Sequence, residues 1–232
     1  MDNVIILGDG LLGTELHKQT GWDFLSRKKD KIEATNIVSW SGLLLPYNTI
    51  INCIANTNTY SNDKKSHWDV NYKFVADLVT YCNEHGKKLI HISTDYVYTN
   101  STGIPTEEDV PVHQATHYAH TKLLADGYIE LKSKNYLILR ATHKPTPFPY
   151  EGAWVNQLGN FDYVDIIASM MIKLIKGEAN GVFNVGTEFK SMYTLAKQTN
   201  PKVNPIYNTD VKIPLNNTMN IDKCQNAIKE SN

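Results

Sequence analysis

Arginine is scarce in this sequence: only Arg27 and Arg140 occur among 23 basic side chains, and the formal net charge is −1. A chain this close to neutral has no strong field to attract a nucleic acid polymer or an acidic membrane surface. The three cysteines are isolated and form no Cys-x-x-Cys pair, so neither a disulfide framework nor a metal site is predicted. No apolar run approaches the roughly 20 residues that a membrane span needs. We therefore expect no nucleic acid, membrane or metal partner.

Composition and the first residues favour an ordinary cytoplasmic globule. Of the 232 residues, 41% are hydrophobic and 20% are charged, which suits one domain with a sizeable core, or one domain plus a small appendage. From Met1 the chain runs directly into apolar, strand-like residues, without a basic segment or a cleavage site. Isolated thiols are typical of a reducing compartment. The predicted localisation is cytoplasmic.

Short apolar runs alternate with segments of helical periodicity as far as Arg140. Helices are predicted after the first strand to about Gln19, over 64–85 and over 115–134. The predicted strands are "NVIIL", "WDFLS", "NTIINCIA", "KKLIHIS" and "NYLILR". Strands that alternate with helices predict an α/β fold with right-handed crossovers, here a Rossmann-type doubly wound parallel sheet.

The character of the sequence changes after Arg140. "KPTPFPYEGAW" carries prolines at 145, 147 and 149 and is too broken for a helix or a central strand. A helix ("VDIIASMMIKLIKG"), a strand ("GVFNVG") and a short helix ("SMYTLAKQ") follow. We therefore predict a dinucleotide-binding Rossmann domain over 1–140. Residues 141–232 are predicted to form a small C-terminal substrate-binding portion packed on it, within one compact unit.

"GDGLLG" follows the first strand and matches the pattern G-x-G-x-x-G. Glycines at these positions permit a tight turn, close approach to a pyrophosphate and close helix–strand packing. The helix that follows offers free N–H groups to the phosphates. The alternative is a purely structural turn. The residues expected to bind the cofactor here are Gly8, Gly10, Leu11, Leu12 and Gly13.

The end of the second strand indicates which nicotinamide cofactor binds. An acidic residue there would bind the 2′-hydroxyl of an adenosine ribose. The sequence has Ser26 and Arg27 instead, and an arginine suits a 2′-phosphate. This pattern favours NADPH, with NADH as the alternative cofactor. A solvated basic loop without a ligand is the alternative interpretation of the segment.

Four tyrosines stand four residues before a lysine, so that spacing alone identifies no site. Only the pair of Tyr118 and Lys122 follows the fourth strand, on a helix that begins beside the edge of the sheet where ligands bind in open α/β folds. A cation on the same helical face favours the phenolate and is expected to lower the pKa of the phenol. Ser93 and Thr94, at the end of the fourth strand, are placed to donate a hydrogen bond to a substrate carbonyl.

Together these motifs resemble the extended short-chain dehydrogenase/reductase superfamily, and within it the dTDP-4-dehydrorhamnose reductase branch. "ILGDGLLG", "IINCIANT", "DVNYKFVADL", "HISTDYVY" and "THYAHTKLLAD" carry the resemblance, with weaker matches near the C-terminus. It implies that Ala55, Asn56, Thr57, Asn71 and Ser93 lie along the cofactor. It also implies a reductase of a 4-keto sugar nucleotide, with Tyr118 as proton donor, Lys122 beside it and on the ribose, and Thr94 holding the carbonyl.

The resemblance also bears on the substrate. Dehydratases of the superfamily carry an Asp–Glu pair where this chain has Asp95 and Tyr96, which argues against dehydration. About 20 residues separate Arg140 from "DYVDII", where the family has several dozen, so the chain resembles a compact member with a shortened substrate region. The expected substrate contacts are Thr94, Asp95, Tyr96, His143, Phe148, Tyr150 and Trp154.

Other functions remain open. An epimerase on the same fold would oxidise and re-reduce its sugar without net use of cofactor. Some relatives of this branch bind NADP as non-catalytic regulatory subunits of another enzyme. The sequence identifies neither the sugar nor the nucleotide of the substrate. Whether the protein forms a homodimer is also left open. The aromatic side chains of "KPTPFPYEGAW" either stack on the substrate or simply cover the core.

Overall fold

The computed structural model describes residues 3–230, so the prediction made from Met1 lies outside the described residues. The strands are β1 (Val4–Leu7), β2 (Asp23–Leu25), β3 (Thr49–Asn52), β4 (Lys88–Ser93), β5 (Tyr136–Arg140), β6 (His143–Lys144), β7 (Gly152–Trp154), β8 (Leu158–Gly159), β9 (Asp162–Tyr163), β10 (Gly181–Asn184), β11 (Lys190–Ser191), β12 (Asn204–Ile206) and β13 (Asn216–Asn217). The α-helices are α1 (Leu11–Thr20), α2 (Arg27–Asp30), α3 (Lys64–His67), α4 (Phe74–Glu84), α5 (His117–Lys132), α6 (Val164–Lys176), α7 (Met192–Thr199) and α8 (Asp222–Glu230).

Six parallel strands form the central sheet, in the order β10-β5-β4-β3-β1-β2. The order reverses between β1 and β3, as in a doubly wound sheet. β1 and β3 are buried along their whole length, which explains why both read as unbroken apolar runs. The predicted Rossmann-type α/β fold is confirmed.

Helices cover both faces of this sheet. On one face α1 packs against α6, whose apolar stripe includes Ile167, Met171 and Ile175. On the other face α4 and α5 contribute Phe74, Leu78 and further buried side chains to a second core cluster. The two layers hold the carboxyl ends of β1, β3, β4 and β5 at one edge of the sheet.

The predicted domain boundary at Arg140 does not coincide with an edge of the central sheet. β10 pairs in parallel with β5, with Gly181 opposite Leu137, and α6 lies in the layer beside α1. Residues beyond 140 therefore complete the nucleotide-binding architecture as well as forming small sheets of two and three strands. A separate substrate-binding portion over 141–232 stays a prediction. Within the described residues, every helix is too short or too polar to traverse a bilayer.

The proline-rich aromatic segment contributes to a small core of its own. Phe148 is 5% exposed and packs with Phe161, Tyr163 and residues of α7, while Trp154 lies partly buried against the same cluster. Tyr150 touches the Phe148 ring edge-on but is 58% exposed. The structure thus favours the core-covering role for Phe148 and Trp154.

Removal of the Phe148 ring should destabilise this small core. Phe148→Ala deletes a buried aromatic side chain and should lower the free energy of unfolding by about 3–5 kcal/mol. Tyr150→Ala, two residues away and exposed, is the matched control and should change it by less than about 0.5 kcal/mol. Urea denaturation of both variants measures the difference. Equal stability of the two variants would contradict the assignment of Phe148 to the core.

Candidate active site

A cleft of about 970 Å³ runs along the carboxyl edge of the sheet. Its wall begins at the loop between β1 and α1, passes the ends of β2, β3 and β4, and finishes on the residues after β5. Ligands of open α/β sheets bind at this edge, beside the point where the strand order reverses. The side chains and backbone that line the cleft include Gly10, Leu11, Leu12, Gly13, Arg27, Cys53, Ala55, Asn56, Thr57, Ile92, Ser93, Thr94, Tyr96, Tyr118, Thr142, His143 and Lys144.

The glycine loop has the geometry of a phosphate cradle. A Cβ on Gly13 would lie 2.1 Å from the carbonyl oxygen of Gly8, so the first turn of α1 packs directly on β1 only because residue 13 is glycine. Gly8 has a φ of +104°, which also favours glycine. A Cβ on Gly10 would meet no atom within 4 Å, so this position is open. Gly8 shapes the loop without lining the cleft, whereas Gly10, Leu11, Leu12 and Gly13 line it.

Ser26 and Arg27 have different tasks at the end of β2. Ser26 is buried, and its hydroxyl accepts a hydrogen bond from Lys29 N and so caps α2, while its own N–H donates to the Asp30 carboxylate. Ser26 therefore does not line the cleft, and its assignment as a direct cofactor contact is not supported. Arg27, the first residue of that capped turn, lines the cleft and forms no ion pair within residues 3–230.

Asn71 holds the loop after β3. Its Oδ1 accepts a hydrogen bond from Asn56 N (2.7 Å), and its Nδ2 donates to Asn56 O (3.1 Å), so one side chain fixes the backbone of Asn56 at both groups. A π-helical stretch, Trp68–Lys73, interrupts the helix predicted over 64–85 and carries Asn71. Asn71 is buried, so it acts through Asn56, which lines the cleft with Ala55 and Thr57.

Tyr118 and Thr94 meet at the far end of the cleft. Thr116 caps α5 by accepting a hydrogen bond from Ala119 N, so the helix begins at His117, one residue before Tyr118. The Tyr118 phenol lies beside the Thr94 side chain, which favours its ionised form. Thr94 in turn caps the short 3₁₀ turn Asp95–Tyr98 by accepting from Tyr96 N. Tyr96 packs edge-on against Tyr118, and its hydroxyl lies 2.8 Å from that of Tyr60.

The pKa of Tyr118 differs from the sequence-based expectation. Burial raises the pKa of the phenol to about 12; the hydrogen bond with Thr94 opposes this rise, and the carboxylates of Asp95 and Asp126 add to it. The predicted lowering by Lys122 is wrong for this structure because the lysine points elsewhere. The phenol is therefore a weak acid that stays protonated across the physiological range.

Lys122 is buried behind the wall of the cleft. Its Nζ donates a hydrogen bond to Ile92 O (2.7 Å) and lies 2.9 Å from His91 Nε2. Burial lowers the pKa of Lys122 to about 8, although Asp126 and Cys53 act in the opposite direction. The side chain does not line the cleft. Within residues 3–230, Lys122 bonds His91 and Ile92 instead of the Tyr118 phenol, and its contact with a ribose stays a prediction.

A buried ion pair fixes α5 to the sheet. Arg140 Nε donates to Asp126 Oδ2 at 2.9 Å, and the Ser93 hydroxyl donates to the same oxygen, also at 2.9 Å. The Arg140 guanidinium further bonds Tyr98 of the 3₁₀ turn. Ser93, predicted to lie along the cofactor, lines the cleft and also holds this network. Sequence reasoning missed Asp126, whose only signal was its position four residues after Lys122 on one helical face.

The predicted substrate residues separate into two groups. Thr94, Tyr96 and His143 line the cleft, whereas Phe148, Tyr150 and Trp154 do not. The three aromatic residues belong to the small C-terminal core or its surface, so their contact with a substrate stays a prediction that the cleft does not support.

Asp95 and the residues after β5 complete this end of the site. Asp95 is buried, and its carboxylate accepts hydrogen bonds from Thr142, Asn217 and Thr94, so it links the turn to the C-terminal segment instead of facing a substrate. Burial and the nearby Lys144 lower the pKa of His143 to about 4, so the ring is neutral at working pH. Lys144 itself lines the cleft and was missed by the sequence analysis.

Comparison with solved structures agrees with the fold. The chain is similar to a dTDP-4-dehydrorhamnose reductase from Bacillus anthracis in complex with NADP, at 20% identity and a TM-score of 0.81, with 99% of this chain and 98% of that chain covered. It is also similar to the Clostridium acetobutylicum orthologue, at 21% identity and a TM-score of 0.79, with 94% and 89% covered. At these identities the likeness shows the fold.

Comparison of sequences gives the family. The chain is 26% identical to mouse dTDP-D-glucose 4,6-dehydratase over 165 residues, which is 60% of this chain and 44% of the mouse protein, so the match spans less than half of that relative. The family model described as the RmlD substrate binding domain matches residues 1–143. The phosphate loop, the Asn71 clamp and the paired Thr94 and Tyr118 all lie within the matched residues. The chain belongs to the RmlD substrate binding domain family.

Proposed function

We propose that this protein is an NADPH-dependent reductase of a 4-keto sugar nucleotide. The observation that carries the proposal is that Tyr118 and Thr94 lie together at one end of a cleft whose other end is a phosphate-binding loop. A carbonyl placed beside them would accept a hydrogen bond from Tyr118, and a second from Thr94 once the threonine hydroxyl turns away from Asp95. The names of the reductases with the same fold support this reading.

The residues of the cleft fit NADPH. The open position at Gly10 and the free N–H groups at the start of α1 suit a pyrophosphate. Arg27 is placed to pair with a 2′-phosphate, and the backbone of 55–57, fixed by Asn71, would lie along the dinucleotide. The Bacillus anthracis reductase of the same fold was solved with NADP. NADH remains the alternative cofactor.

When bound, the nicotinamide supplies a hydride to the keto carbon. The carbonyl oxygen then gains negative charge, and Tyr118 donates its proton to that oxygen while Thr94 holds it in place. Because burial raises the pKa of Tyr118 to about 12, the phenol is protonated at the start of each turnover. It is still a stronger acid than the alcohol it forms, so the proton transfer is favourable. One hydride and one proton convert the ketone to an alcohol.

Dehydration is disfavoured by Tyr96. An elimination needs a base at the position of the superfamily's glutamate, whereas burial and the hydrogen bond with Tyr60 raise the pKa of Tyr96 well above its ordinary value. The hydroxyl therefore stays protonated and cannot accept the proton. An epimerase remains the alternative, and it would consume no free NADPH. Incubation with a panel of 4-keto sugar nucleotides should show NADPH oxidation with at least one; turnover of none would contradict the proposal.

The cellular setting is part of the same proposal. All three cysteines are free thiols, and Cys82 and Cys224 are buried, which supports a reducing compartment and hence the cytoplasm. The homodimer is a prediction that size-exclusion chromatography with light scattering can test.

Tyr118→Phe should remove the proton donor without disturbing the fold. Loss of a positioned general acid should lower kcat by about 10²–10⁴-fold. NADPH affinity should stay within about twofold, because the substitution removes one hydroxyl and changes no charge. Tyr128→Phe, on the same helix and packed against Tyr72, is the matched control and should keep wild-type turnover. A Tyr118→Phe enzyme with more than about a tenth of wild-type kcat would contradict the assigned role and favour a non-catalytic NADP-binding subunit.

Arg27→Ala should separate the two nicotinamide cofactors. A bidentate guanidinium–phosphate contact is worth roughly 1.5–3 kcal/mol, so NADPH affinity should fall about 10- to 150-fold. NADH affinity should change little. Lys28→Ala removes a neighbouring positive charge that does not line the cleft and serves as the control. Calorimetric titration of wild type with both cofactors is decisive, because equal affinities would contradict the role of Arg27.

A further inference from the structure

Three buried side chains form a continuous hydrogen-bonded chain behind the wall of the cleft. Asn52 lies at the end of β3, His91 on β4 and Lys122 on α5, and none is more than 1% exposed. Asn52 Nδ2 lies 3.2 Å from His91 Nδ1, and His91 Nε2 lies 2.9 Å from Lys122 Nζ. Lys122 Nζ also donates to Ile92 O at 2.7 Å.

The direction of these hydrogen bonds is fixed at Asn52. The Asn52 Oδ1 accepts from Ile54 N at 3.0 Å, so the amide presents its Nδ2 donor to His91. His91 Nδ1 must then accept. Burial, together with the nearby Lys122, lowers the pKa of His91 well below its usual range, so the ring is neutral and carries a single proton. That proton is on Nε2.

The Nε2–H group of His91 points at Lys122 Nζ. An ammonium has three donors and no acceptor, so it cannot receive this hydrogen bond. A neutral amine can, because it accepts from His91 with its lone pair and still donates to the carbonyl of Ile92. Burial lowers the pKa of Lys122 to about 8, so the uncharged amine becomes the main form above about pH 8.

The other titratable groups around Lys122 do not reverse the effect of burial on its pKa. From the end of β3, Cys53 faces it with a thiol whose pKa is raised by burial to about 12, so that thiol is neutral. On α5 itself, Asp126 favours the charged form, but its carboxylate is bound to Arg140 and Ser93. Cys53 and Ile92 line the cleft, so the lysine lies directly behind its wall.

We propose that His91 is a positioning residue: through the chain from Asn52 it stabilises the neutral amine of Lys122 in the cofactor-free protein at alkaline pH, and NADPH binding then draws a proton from solvent onto Nζ. The proposal rests on the reductase function above, because it assumes that NADPH binds in the cleft. It assigns Lys122 one protonation state without the cofactor and another with it. In the second state the ammonium leaves His91 and reaches the cleft beside Tyr118. Binding of NADPH is therefore coupled to uptake of a proton.

Isothermal titration calorimetry of the full chain with NADPH tests this coupling. Titrations at pH 8 in three buffers of different ionisation enthalpy give the number of protons taken up. With a free pKa of about 8, half of the lysines are neutral at that pH, so wild type should take up about half a proton per site. The affinity for NADPH should fall about fivefold between pH 8 and pH 9. Lys122→Met should bind with no uptake at pH 8.

Asn52→Asp tests the role of the chain. The carboxylate keeps the acceptor for Ile54 N and places a second acceptor against His91 Nδ1, which moves the ring proton there and leaves Nε2 to accept from an ammonium. Uptake at pH 8 should then fall to below about 0.1 proton per site. Asn83→Asp makes the same change on α4, where the amide bonds only the backbone of Lys132 and Lys134, and should retain the wild-type uptake.

The possible results separate the two proposals. Wild-type binding of NADPH without proton uptake at pH 8 overturns the role of His91 and leaves the reductase function standing. Unchanged uptake in a folded Asn52→Asp also overturns it. If Asn52→Asp does not fold, the wild-type and Lys122→Met titrations still decide whether Lys122 is the group that gains the proton, and uptake that persists in Lys122→Met overturns the proposal. Absence of any NADPH binding overturns the cofactor assignment and this inference together.

Discussion

The buried ion pair between Asp126 and Arg140 is the interaction on which the arrangement of the site depends. Two opposite charges in a nearly solvent-free interior are stable only when both are paired and hydrogen-bonded, and here the same carboxylate oxygen also binds Ser93. The pair joins the middle of α5 to the ends of β4 and β5. Since Tyr118 and Lys122 lie on α5, the position of both side chains against the sheet follows from this contact.

The parallel sheet supplies the rest of the geometry. Parallel strands end at one edge, so the glycine loop after β1, the Asn56 loop after β3 and Thr94 after β4 meet along a single cleft although about 85 residues separate the first from the last. Side chains outside the cleft then fix its wall: Ser26 caps the turn of Arg27, Asn71 clamps Asn56, and Thr94 caps the turn that carries Tyr96. These hydrogen bonds hold the loops of the cleft wall in place without a ligand.

The sequence predicted the sheet and the location of the site because those features depend on local patterns. Apolar runs, the glycine spacing and the position of Tyr118 after the fourth strand are visible in single segments. The tertiary partners of buried polar groups are not visible in this way. The expected lowering of the Tyr118 pKa was wrong because the sequence shows Lys122 near Tyr118 but not His91, which binds the lysine from another strand.

Backbone detail was also beyond a sequence pattern. A single helix was predicted over 64–85, but a π-helical stretch at Trp68–Lys73 changes its phase and directs Asn71 at the loop after β3. The aromatic residues after β5 were predicted as substrate contacts, but Phe148 fills a small core. The sequence does not show this because the α7 residues that pack against Phe148 lie far along the chain.

The proposed function depends on transfer of a hydride to a keto sugar with net use of the cofactor. NADPH that carries deuterium at C4 of the nicotinamide, a 4-keto sugar nucleotide that is turned over, and NMR of the product test this transfer. One deuterium should appear on the sugar C4 for each NADPH oxidised. Conversion of sugar without deuterium in the product, or without loss of NADPH, would show that the cleft does not carry out this reduction.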